Sequence, residues 1–328
     1  MEDLYGRKID YLRISVTDRC NLRCIYCMPP EGIKPKAHDD IIRFEDILLV
    51  AEVALEMGIK RFRLTGGEPL VRKGVIPFIG ALSRLPGAED VSLTTNGILL
   101  SQTAARLKES GIRRINISLD TMNPKTYREL TRGGDLRAVW GGIEKALEIG
   151  FDPVKINIVA LRGINDKEWV DFARLTLDKP LHVRFIELMP IGSSRQMAEE
   201  NFVSCWEVKE VIERELGELT PVIGVNGNGP AEYQRLQGAV GTIGFIHAIS
   251  EHFCDSCNRL RLTADGKLRP CLFDRREIDL KKASSHATPE SRRRSLGRLF
   301  LCRGQTGASA VVYWICCFPE RFSIFPAM

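Results

Sequence analysis

Apolar positions between residues 11 and 187 follow two alternating periods. Apolar side chains at 44, 47, 48, 51, 54 and 55 recur at helical spacing and stop before Gly58, a residue type that commonly ends helices. Short apolar runs typical of buried strands lie on both sides of this helix. The predicted strands are 11–16, 59–64, 90–94, 114–118, 154–159 and 182–187, and the predicted helices are 44–55, 75–85, 102–110, 136–147 and 167–176. Six strands separated by helices predict an α/β fold with parallel strands, either a doubly wound sheet or a barrel.

The pattern changes after one more predicted helix at 205–215. Residues 224–230 are rich in Gly and Asn, and the runs 232–236 and 241–246 are short and strand-like, as in antiparallel sheets. Residues 283–328 contain six aromatic side chains and the basic run Arg292–Arg294, without a helical or strand period. We therefore predict a first domain at 1–217, a smaller second domain at 218–282 and an atypical tail at 283–328.

Charge and hydropathy exclude two kinds of partner. The formal net charge is +5, but residues 283–328 carry +4 of it, so residues 1–282 are nearly neutral and give no indication of a nucleic-acid partner. The N-terminus has no apolar signal-peptide segment, and the longest apolar run, 308–318, is too short to span a bilayer. We expect a cytoplasmic protein with no membrane partner.

Six of the ten cysteines form two groups of three, called here the first triad (Cys20, Cys24, Cys27) and the second triad (Cys254, Cys257, Cys271). Such grouping, without a secretory signal, favours metal ligation over disulfides. Three thiolates on a four-iron cluster leave one iron open for a small molecule, whereas a structural zinc site normally has a fourth protein ligand. The nearest histidine to the first triad is His38, which favours an open cluster.

The first triad resembles the motif of the radical S-adenosylmethionine (SAM) enzymes, in its C-x3-C-x2-C spacing, in Tyr26 and in its place after the first strand. This resemblance implies an incomplete (β/α)6 TIM-like barrel, with SAM chelating the open iron of a [4Fe-4S] cluster. The run Gly66–Pro69 is by itself equally typical of a tight turn. Placed after the second strand, it resembles the loop that holds the amino end of SAM, which assigns Gly67 and Glu68 to SAM.

The second triad, C-x2-C-x13-C, leaves two interpretations open. His247 or His252 could complete a zinc site, whereas three cysteines alone suggest a second [4Fe-4S] cluster with an open iron. Two open clusters facing one barrel mouth would allow one to generate a radical and the other to hold a substrate. We therefore predict that the smaller second domain carries a second cluster.

Several basic residues lie at positions predicted to be inside the barrel. A positive charge there costs free energy unless an anion is bound beside it. Strand alternation places Arg259 and Arg261 on one face, which suits bidentate binding of phosphate oxygens, although a solvated basic strand has the same pattern. Arg13, Arg63 and Lys155 lie within or near the ends of predicted strands. A polyphosphate substrate would neutralise all five.

Several motifs together are similar to the MoaA family, the radical SAM GTP cyclases of molybdenum-cofactor biosynthesis: 11–15, 63–70, 117–120, 183–187, 253–261 and the first triad with the Met-Pro that follows it. The resemblance implies that SAM lies near Tyr26, Gly67, Ser118 and Met189. It implies that GTP binds the second cluster through guanine, with its triphosphate held by Arg13, Arg63, Thr94, Lys155, Arg259 and Arg261. It leaves any catalytic side chain unknown, since the radical is generated at the SAM cluster. It also implies transfer of the cyclised nucleotide to MoaC, and a reductant such as flavodoxin or ferredoxin.

The tail departs from this family. Members end in a Gly-Gly segment that reaches the active site, whereas this sequence ends at Ser323–Met328. We predict an altered reading frame or a divergent, disordered tail. From this we hypothesise that the protein binds both clusters and both ligands but cyclises GTP poorly. Two other functions fit the cysteines: a radical SAM peptide-modifying enzyme and a non-catalytic zinc-binding protein. The sequence leaves the oligomeric state open, a homodimer included.

Overall fold

The computed structural model describes residues 1–3, 6–191, 194–225, 229–274, 276–284 and 289–301. Its strands are β1 Tyr11–Ser15, β2 Arg61–Thr65, β3 Asp90–Thr95, β4 Ile115–Ser118, β5 Val154–Ala160, β6 Leu181–Glu187, β7 Leu219–Pro221, β8 Glu232–Leu236, β9 Thr242–Ile246, β10 Arg259–Leu262, β11 Lys267–Arg269 and β12 Ile278–Asp279. Its α-helices are α1 Phe44–Glu56, α2 Val75–Ser83, α3 Leu100–Glu109, α4 Pro124–Thr131, α5 Leu136–Glu148, α6 Trp169–Asp178, α7 Arg195–Asn201, α8 Cys205–Leu216, α9 Leu280–Ser284 and α10 Pro289–Leu301.

The strands β1 to β6 lie side by side in sequence order, and all five pairings between them are parallel. Each of these strands is followed by at least one helix before the next begins. β1 and β6 do not pair with each other, so the unit is open. This is the predicted incomplete (β/α)6 arrangement, and all six predicted strands are confirmed.

Alternation along the strands separates an apolar face from a polar one. In β1, Leu12 and Ile14 are fully buried, and Phe62 and Leu64 occupy the matching positions of β2. These side chains belong to the single large hydrophobic core beneath the helices. The intervening residues of the same strands, among them Arg13, point to the opposite face because successive side chains alternate. The polar face therefore lines the barrel interior.

The strands after residue 217 extend the same sheet at both edges. β9 pairs in parallel with β6 and continues antiparallel into β8 and β7, while β10 pairs in parallel with β1 and continues antiparallel into β11 and β12. The short antiparallel strands predicted near 232–236 and 241–246 are confirmed. The division into domains at 1–217 and 218–282 stays a prediction, with both parts joined through one sheet.

The prediction that no helical period remains after residue 283 is wrong for the first part of the tail. Residues Pro289–Leu301 form α10, which packs on α1 with Leu296 fully buried. Arg293 forms ion pairs with Glu52 and Glu56 of α1. The predictions for residues 302–328 lie outside the described residues. In the part of the chain that the structure describes, no helix has both the length and the apolarity needed to cross a bilayer.

Candidate active site

The first triad lies in the loop that follows β1 and is folded by backbone hydrogen bonds. The amides of Cys27 and Met28 both donate to the carbonyl of Cys24, at 2.9 and 3.0 Å, which forms a tight turn between the last two cysteines. The amide of Leu22 donates to Cys20 Sγ, and the side-chain amide of Asn96 lies 3.8 Å from the same sulfur. These donors favour a thiolate at Cys20.

Burial raises the pKa of all three thiols. Desolvation, and secondarily the nearby Cys27, raises the pKa of Cys24 to about 12. Desolvation, and secondarily the nearby Asp120, raises the pKa of Cys27 to about 11. Without a cation these sulfurs keep their protons, so ligation of iron must release protons. The site therefore suits a highly charged metal group.

The chemistry of the donor set favours an iron-sulfur cluster on each triad. Among the described residues, Glu187, Cys205 and His247 have ligating atoms that all lie within 4.8 Å of one another. That group mixes a carboxylate, a thiol and an imidazole, whereas each triad offers three thiols, the soft ligands that iron-sulfur clusters use.

Gly67 lies where the second strand's loop packs against the cysteine loop. A Cβ built on Gly67 would lie 2.2 Å from the carbonyl oxygen of Arg19, so only glycine allows this approach. The amide of Gly67 donates to Thr17 O, and the amide of Glu68 donates to Arg19 O, each at 2.8 Å. The two loops predicted to hold SAM and its cluster are therefore joined directly.

Glu68 is buried and accepts hydrogen bonds from three protein donors. Its carboxylate receives the amide of Leu70 at 3.0 Å, Thr95 Oγ1 at 2.8 Å and the amide of Asn96 at 2.7 Å. These contacts join the ends of β2 and β3. Direct binding of SAM by Glu68 stays a prediction, because the structure gives this carboxylate a positioning role of its own.

Tyr26 is held by a residue at the end of β4. Its hydroxyl donates to Asp120, which also accepts the amide of Val159 at 2.7 Å. Burial raises the pKa of Asp120 to about 6, against the opposing effect of these two hydrogen bonds. Ser118 stands two residues earlier, half-buried at the same strand end. Asp120 is the last residue of the motif 117–120, but the sequence contains no signal that pairs it with Tyr26.

Met189, the remaining residue assigned to SAM, follows β6. Its carbonyl accepts Ser194 Oγ at 2.7 Å and the amide of Ile191 at 2.8 Å, which fixes the backbone, and its side chain is half-buried. The residues assigned to SAM therefore follow β1, β2 and β6 or, in the case of Ser118, form the end of β4. Because parallel strands end at one edge, these residues lie at the carboxyl edge of the sheet.

Three arginines form a row across neighbouring strands. Arg261 of β10 is in register with Arg13 of β1, which is in register with Arg63 of β2. Burial lowers the pKa of Arg13 to about 9 and that of Arg63 to about 10, and the proximity of Arg261 lowers the former further. The protein thus holds several positive charges together in a poorly solvated interior, which is the setting of an anion site.

Unpartnered polar atoms face this interior. Arg13 Nε, Thr94 Oγ1 and Arg184 Nε are each buried without a hydrogen-bond partner. Buried donors are normally satisfied, so such a group of orphans indicates a ligand with several acceptor oxygens. Thr94 is in register with Asn116, and Asn116 with Lys155, which continues the polar row across β3, β4 and β5.

Lys155 and Arg184 complete the basic interior on the far side of the barrel. Lys155 Nζ donates to Tyr233 Oη of β8 at 2.8 Å, and burial together with Arg184 lowers the pKa of Lys155 to about 6. Arg184 donates to the side-chain oxygens of Asn116 and Asn157, the first at 2.6 Å. Arg184 was not assigned from sequence as a binding residue, although its position inside β6 was a usable signal.

The second triad lies at the opposite edge of the sheet from the first. Its first two cysteines precede β10, and the carbonyl of Asn258 accepts the amides of Asp10 and Tyr11 at the start of β1. Cys271 follows β11, which runs back antiparallel to the same edge. The expectation that both triads face one barrel mouth is therefore wrong, because β10 joins β1 in parallel. The basic row lies between the two triads.

Local contacts fix the second triad beside the arginines. The amide of Cys257 donates to Cys254 O at 3.1 Å, and Arg7 donates to the same carbonyl at 2.7 Å. Burial and the neighbouring Arg259 lower the pKa of Arg261. Cys271 and Cys257 act in the opposite direction, which shows that these two cysteines lie near its guanidinium group. His247 contacts Ser250 and the Glu187 group instead, so it does not act as the fourth ligand of a zinc site on this triad.

Comparison with known proteins identifies the family. The Radical SAM superfamily model matches residues 14–176, and the Molybdenum Cofactor Synthesis C model matches residues 181–300. A GTP 3',8-cyclase of Pelotomaculum thermopropionicum is 56% identical over 281 residues, which are 86% of each chain. This chain belongs to the GTP 3',8-cyclase family. Another member, from Petrotoga mobilis, is 50% identical over 92% of this chain and 93% of its own.

The cyclase family match also corrects the boundary of the tail. The C-terminal family model extends to residue 300, so the resemblance does not stop near residue 283 as predicted. Solved structures support the radical SAM fold of the cyclase: the crystal structure of Streptococcus suis SuiB bound to precursor peptide SuiA has a TM-score of 0.57. That structure is 14% identical and is matched over 87% of this chain and 64% of SuiB. At this identity the likeness concerns the fold alone.

Proposed function

We propose that this protein is a radical SAM lyase that converts GTP to (8S)-3',8-cyclo-7,8-dihydro-GTP, the first step of molybdenum-cofactor biosynthesis. The observation that carries the proposal is the row of buried cations between two cysteine triads, in a chain 56% identical to a GTP 3',8-cyclase. A triphosphate supplies the negative charge and the acceptor oxygens that this interior lacks.

The first triad and the loops around it would hold a [4Fe-4S] cluster and SAM. When bound, the cluster would supply the electron that cleaves SAM into methionine and a 5'-deoxyadenosyl radical, and this radical would take a hydrogen atom from the substrate. Cys20, Cys24 and Cys27 provide three thiolates, and Gly67 lets the neighbouring backbone approach the cluster loop. Asp120 fixes the orientation of Tyr26 at the carboxyl edge of the barrel, where SAM would lie against Ser118 and Met189.

The interior side chains would hold and orient the triphosphate. We assign the triphosphate to Arg13, Arg63, Thr94, Lys155, Arg259 and Arg261. The unpartnered Nε of Arg13, Oγ1 of Thr94 and Nε of Arg184 support this assignment. Buried guanidinium groups bind phosphate oxygens more strongly than exposed ones, since water competes less. Fixed in this way, the nucleotide presents one face to the reaction and remains shielded from water.

The distance between the two edges of the sheet matches an extended nucleotide. A five-residue strand such as β1 spans roughly 17 Å. A nucleotide held through its triphosphate in this interior would reach the second triad with its base at the amino edge. Cys254, Cys257 and Cys271 would hold the second [4Fe-4S] cluster, whose open iron would bind guanine.

The basic interior also argues against the two other functions. A peptide substrate offers no equivalent of three closely spaced anionic groups, so the positive charges of the buried Arg63, Lys155 and Arg184 and of the half-buried arginines beside them would not be neutralised. A zinc-binding protein without an enzyme activity would have no use for them. We further propose MoaC as the acceptor of the product and flavodoxin or ferredoxin as the reductant, on the basis of the family resemblance alone.

The test is anaerobic incubation of the reconstituted protein with SAM, GTP and dithionite, followed by chromatography and mass spectrometry of the nucleotides. We expect 5'-deoxyadenosine together with a cyclised nucleotide, and the poor cyclisation predicted from the divergent tail would give deoxyadenosine in excess of the cyclised product. In Arg261→Ala the cyclised product should fall at least 100-fold while some deoxyadenosine persists, because only GTP binding is impaired. Arg106→Ala, on the exposed face of α3, is the matched control. Recovery of GTP unchanged alongside deoxyadenosine in the unmodified protein would falsify the proposal.

A further inference from the structure

Arg132 has a backbone conformation that residues other than glycine rarely adopt. It lies at the end of α4 with φ 54° and ψ 53°, the left-handed region, and among the described residues it is the non-glycine residue recorded with positive φ. Glycine is the usual residue at such helix ends, and two glycines follow immediately at 133 and 134. Unfavourable backbone conformations persist where the surrounding contacts require them, often at functional sites.

The side chain of Arg132 contacts the loop of the first triad. Its terminal nitrogen Nη1 donates to the carbonyls of Arg23 at 2.9 Å, Met28 at 2.8 Å and Pro29 at 3.3 Å. Arg23 immediately precedes Cys24, and Met28 immediately follows Cys27. One guanidinium group therefore joins the two ends of the segment that carries the second and third cysteines.

The backbone at the end of α4 supports the same loop. The amide of Arg23 donates to Thr131 O at 3.1 Å, and the amide of Ile25 donates to Leu130 O at 2.9 Å. The last carbonyls of a helix lack partners within the helix, so the loop satisfies them. The left-handed turn at Arg132 is what directs its side chain back toward the loop while the chain continues into Gly133.

We propose that Arg132 is a positioning residue for the first cluster, which holds the Cys24–Cys27 segment in its ligating shape before and after the cluster binds. This role deepens the proposed function and rests on it for the identity of the group. A single guanidinium nitrogen, Nη1, reaches all three carbonyls on both sides of the cysteine pair, whereas the lysine side chain is one bond shorter and ends in a freely rotating ammonium group, so it would hold these carbonyls less rigidly. Without this clamp the segment would open more readily, and the cluster would be lost faster.

The experiment measures cluster release rather than turnover. The variants are Arg132→Gly, which removes the side chain and suits the backbone conformation, and Arg132→Lys, which keeps the charge. Arg128→Ala, on an exposed position of the same helix, is the control. Each variant is made in the full chain and also in a Cys254→Ala, Cys257→Ala, Cys271→Ala background, so that all bound iron belongs to the first site. Loss of absorbance near 410 nm is followed after adding EDTA without oxygen.

We expect release at least tenfold faster for Arg132→Gly, an intermediate rate for Arg132→Lys and an unchanged rate for Arg128→Ala. Addition of SAM alters the electron paramagnetic resonance spectrum of the reduced cluster. The signal of the SAM-bound form should be broader in Arg132→Gly than in the unmodified protein. A wild-type release rate and an unaltered spectrum in Arg132→Gly would overturn the proposal. If Arg132→Gly does not fold, Arg132→Lys decides by the same two measurements. Neither of these two measurements uses GTP. The role of Arg132 can therefore be supported or overturned independently of whether the protein cyclises GTP.

Discussion

Lys155 illustrates how single residues in the interior depend on the substrate. It is buried beside Arg184 and its Nζ donates to Tyr233, and burial lowers the pKa of this amine to about 6. At pH 7.5 the ligand-free protein therefore keeps most of its Lys155 side chains neutral. A bound triphosphate favours the charged form, because an anion nearby raises the pKa of an amine.

Proton uptake on GTP binding follows from this shift. Below pH 6 Lys155 is charged with or without GTP, and above pH 6 binding must add a proton, so affinity falls as pH rises, by up to about tenfold per unit. Calorimetry in buffers of different ionisation enthalpy should show up to about one proton more for the unmodified protein than for Lys155→Met. Lys125→Met, at an exposed position, should keep the uptake. Equal uptake in all three proteins would contradict the assignment.

Glu68 should contribute to stability as well as to the SAM site. In Glu68→Gln an amide NH2 replaces one carboxylate oxygen, so it faces either the donors on Leu70 and Thr95, which bind Oε1, or the amide of Asn96, which binds Oε2. Leaving a buried donor unsatisfied costs about 1–3 kcal/mol. Urea unfolding should show a loss of this size, and the Kd for SAM should increase. Glu109→Gln, at an exposed helix end, is the control, and a loss no larger than the control's would disprove the buried role.

At the residue scale, the sequence identified side chains by their chemistry but not their partners. The two cysteine triads and Arg13, Arg63 and Lys155 stood out because their residue types suit metals and phosphate. The contact between Tyr26 and Asp120 joins residues 94 positions apart, and no local period encodes it. The role of Arg184 could not be predicted for a similar reason. A single arginine inside an apolar strand suggests no function until the structure shows its contacts with Asn116 and Asn157.

At the scale of elements, the contact between the loops after β1 and β2 can be tested by adding one methyl group. In Gly67→Ala the new Cβ would lie 2.2 Å from Arg19 O, a backbone oxygen that cannot move away without displacing the cysteine loop. Overpacking of this kind costs about 1–3 kcal/mol. Thermal unfolding should show the loss, and the affinity for SAM should fall because the cysteine loop is displaced.

Gly141→Ala provides the matched control for this prediction. Gly141 lies within α5, and a Cβ added there meets no atom within 4 Å. Alanine in a helix is more favourable than glycine by about 0.5–1 kcal/mol, so this variant should be neutral or stabilised. Equal destabilisation by both substitutions would show that the effect comes from the substitution type and not from the loop contact.

Elements with a strong apolar period were predictable, and short ones were not. The six barrel strands and the helices between them were identified because each buries an apolar face of its own. β7, β11 and β12 have two or three residues each and are formed by pairing with strands already present. That β10 joins β1 was not encoded locally, and for this reason the position of the second triad was predicted wrongly.

For the molecule as a whole, the buried cations make stability depend on pH and on anions. The unfolded chain binds a proton at Lys155 up to its ordinary pKa near 10.5, whereas the folded protein releases that proton near pH 6. Between these values the unfolded state holds more protons, so this residue makes the folded protein more stable as pH rises and less stable as pH falls toward 6. An anion bound in the interior should reverse this effect by restoring the charged form.

Inorganic tripolyphosphate should therefore stabilise the reconstituted protein, because it carries the charges of the GTP triphosphate without the nucleoside. At about 100 times its Kd a ligand adds about 2.7 kcal/mol, which corresponds to an increase in Tm of about 4 °C for a chain of this size. The increase should be larger at pH 6.5 than at pH 8.5, and Lys155→Met should lose this pH difference while keeping part of the increase through Arg13 and Arg261. Comparing the two proteins at each pH cancels the titration of tripolyphosphate itself. Equal shifts in Arg261→Ala and in the unmodified protein would place the anion outside the barrel, because Arg261 lies in the central row of the interior.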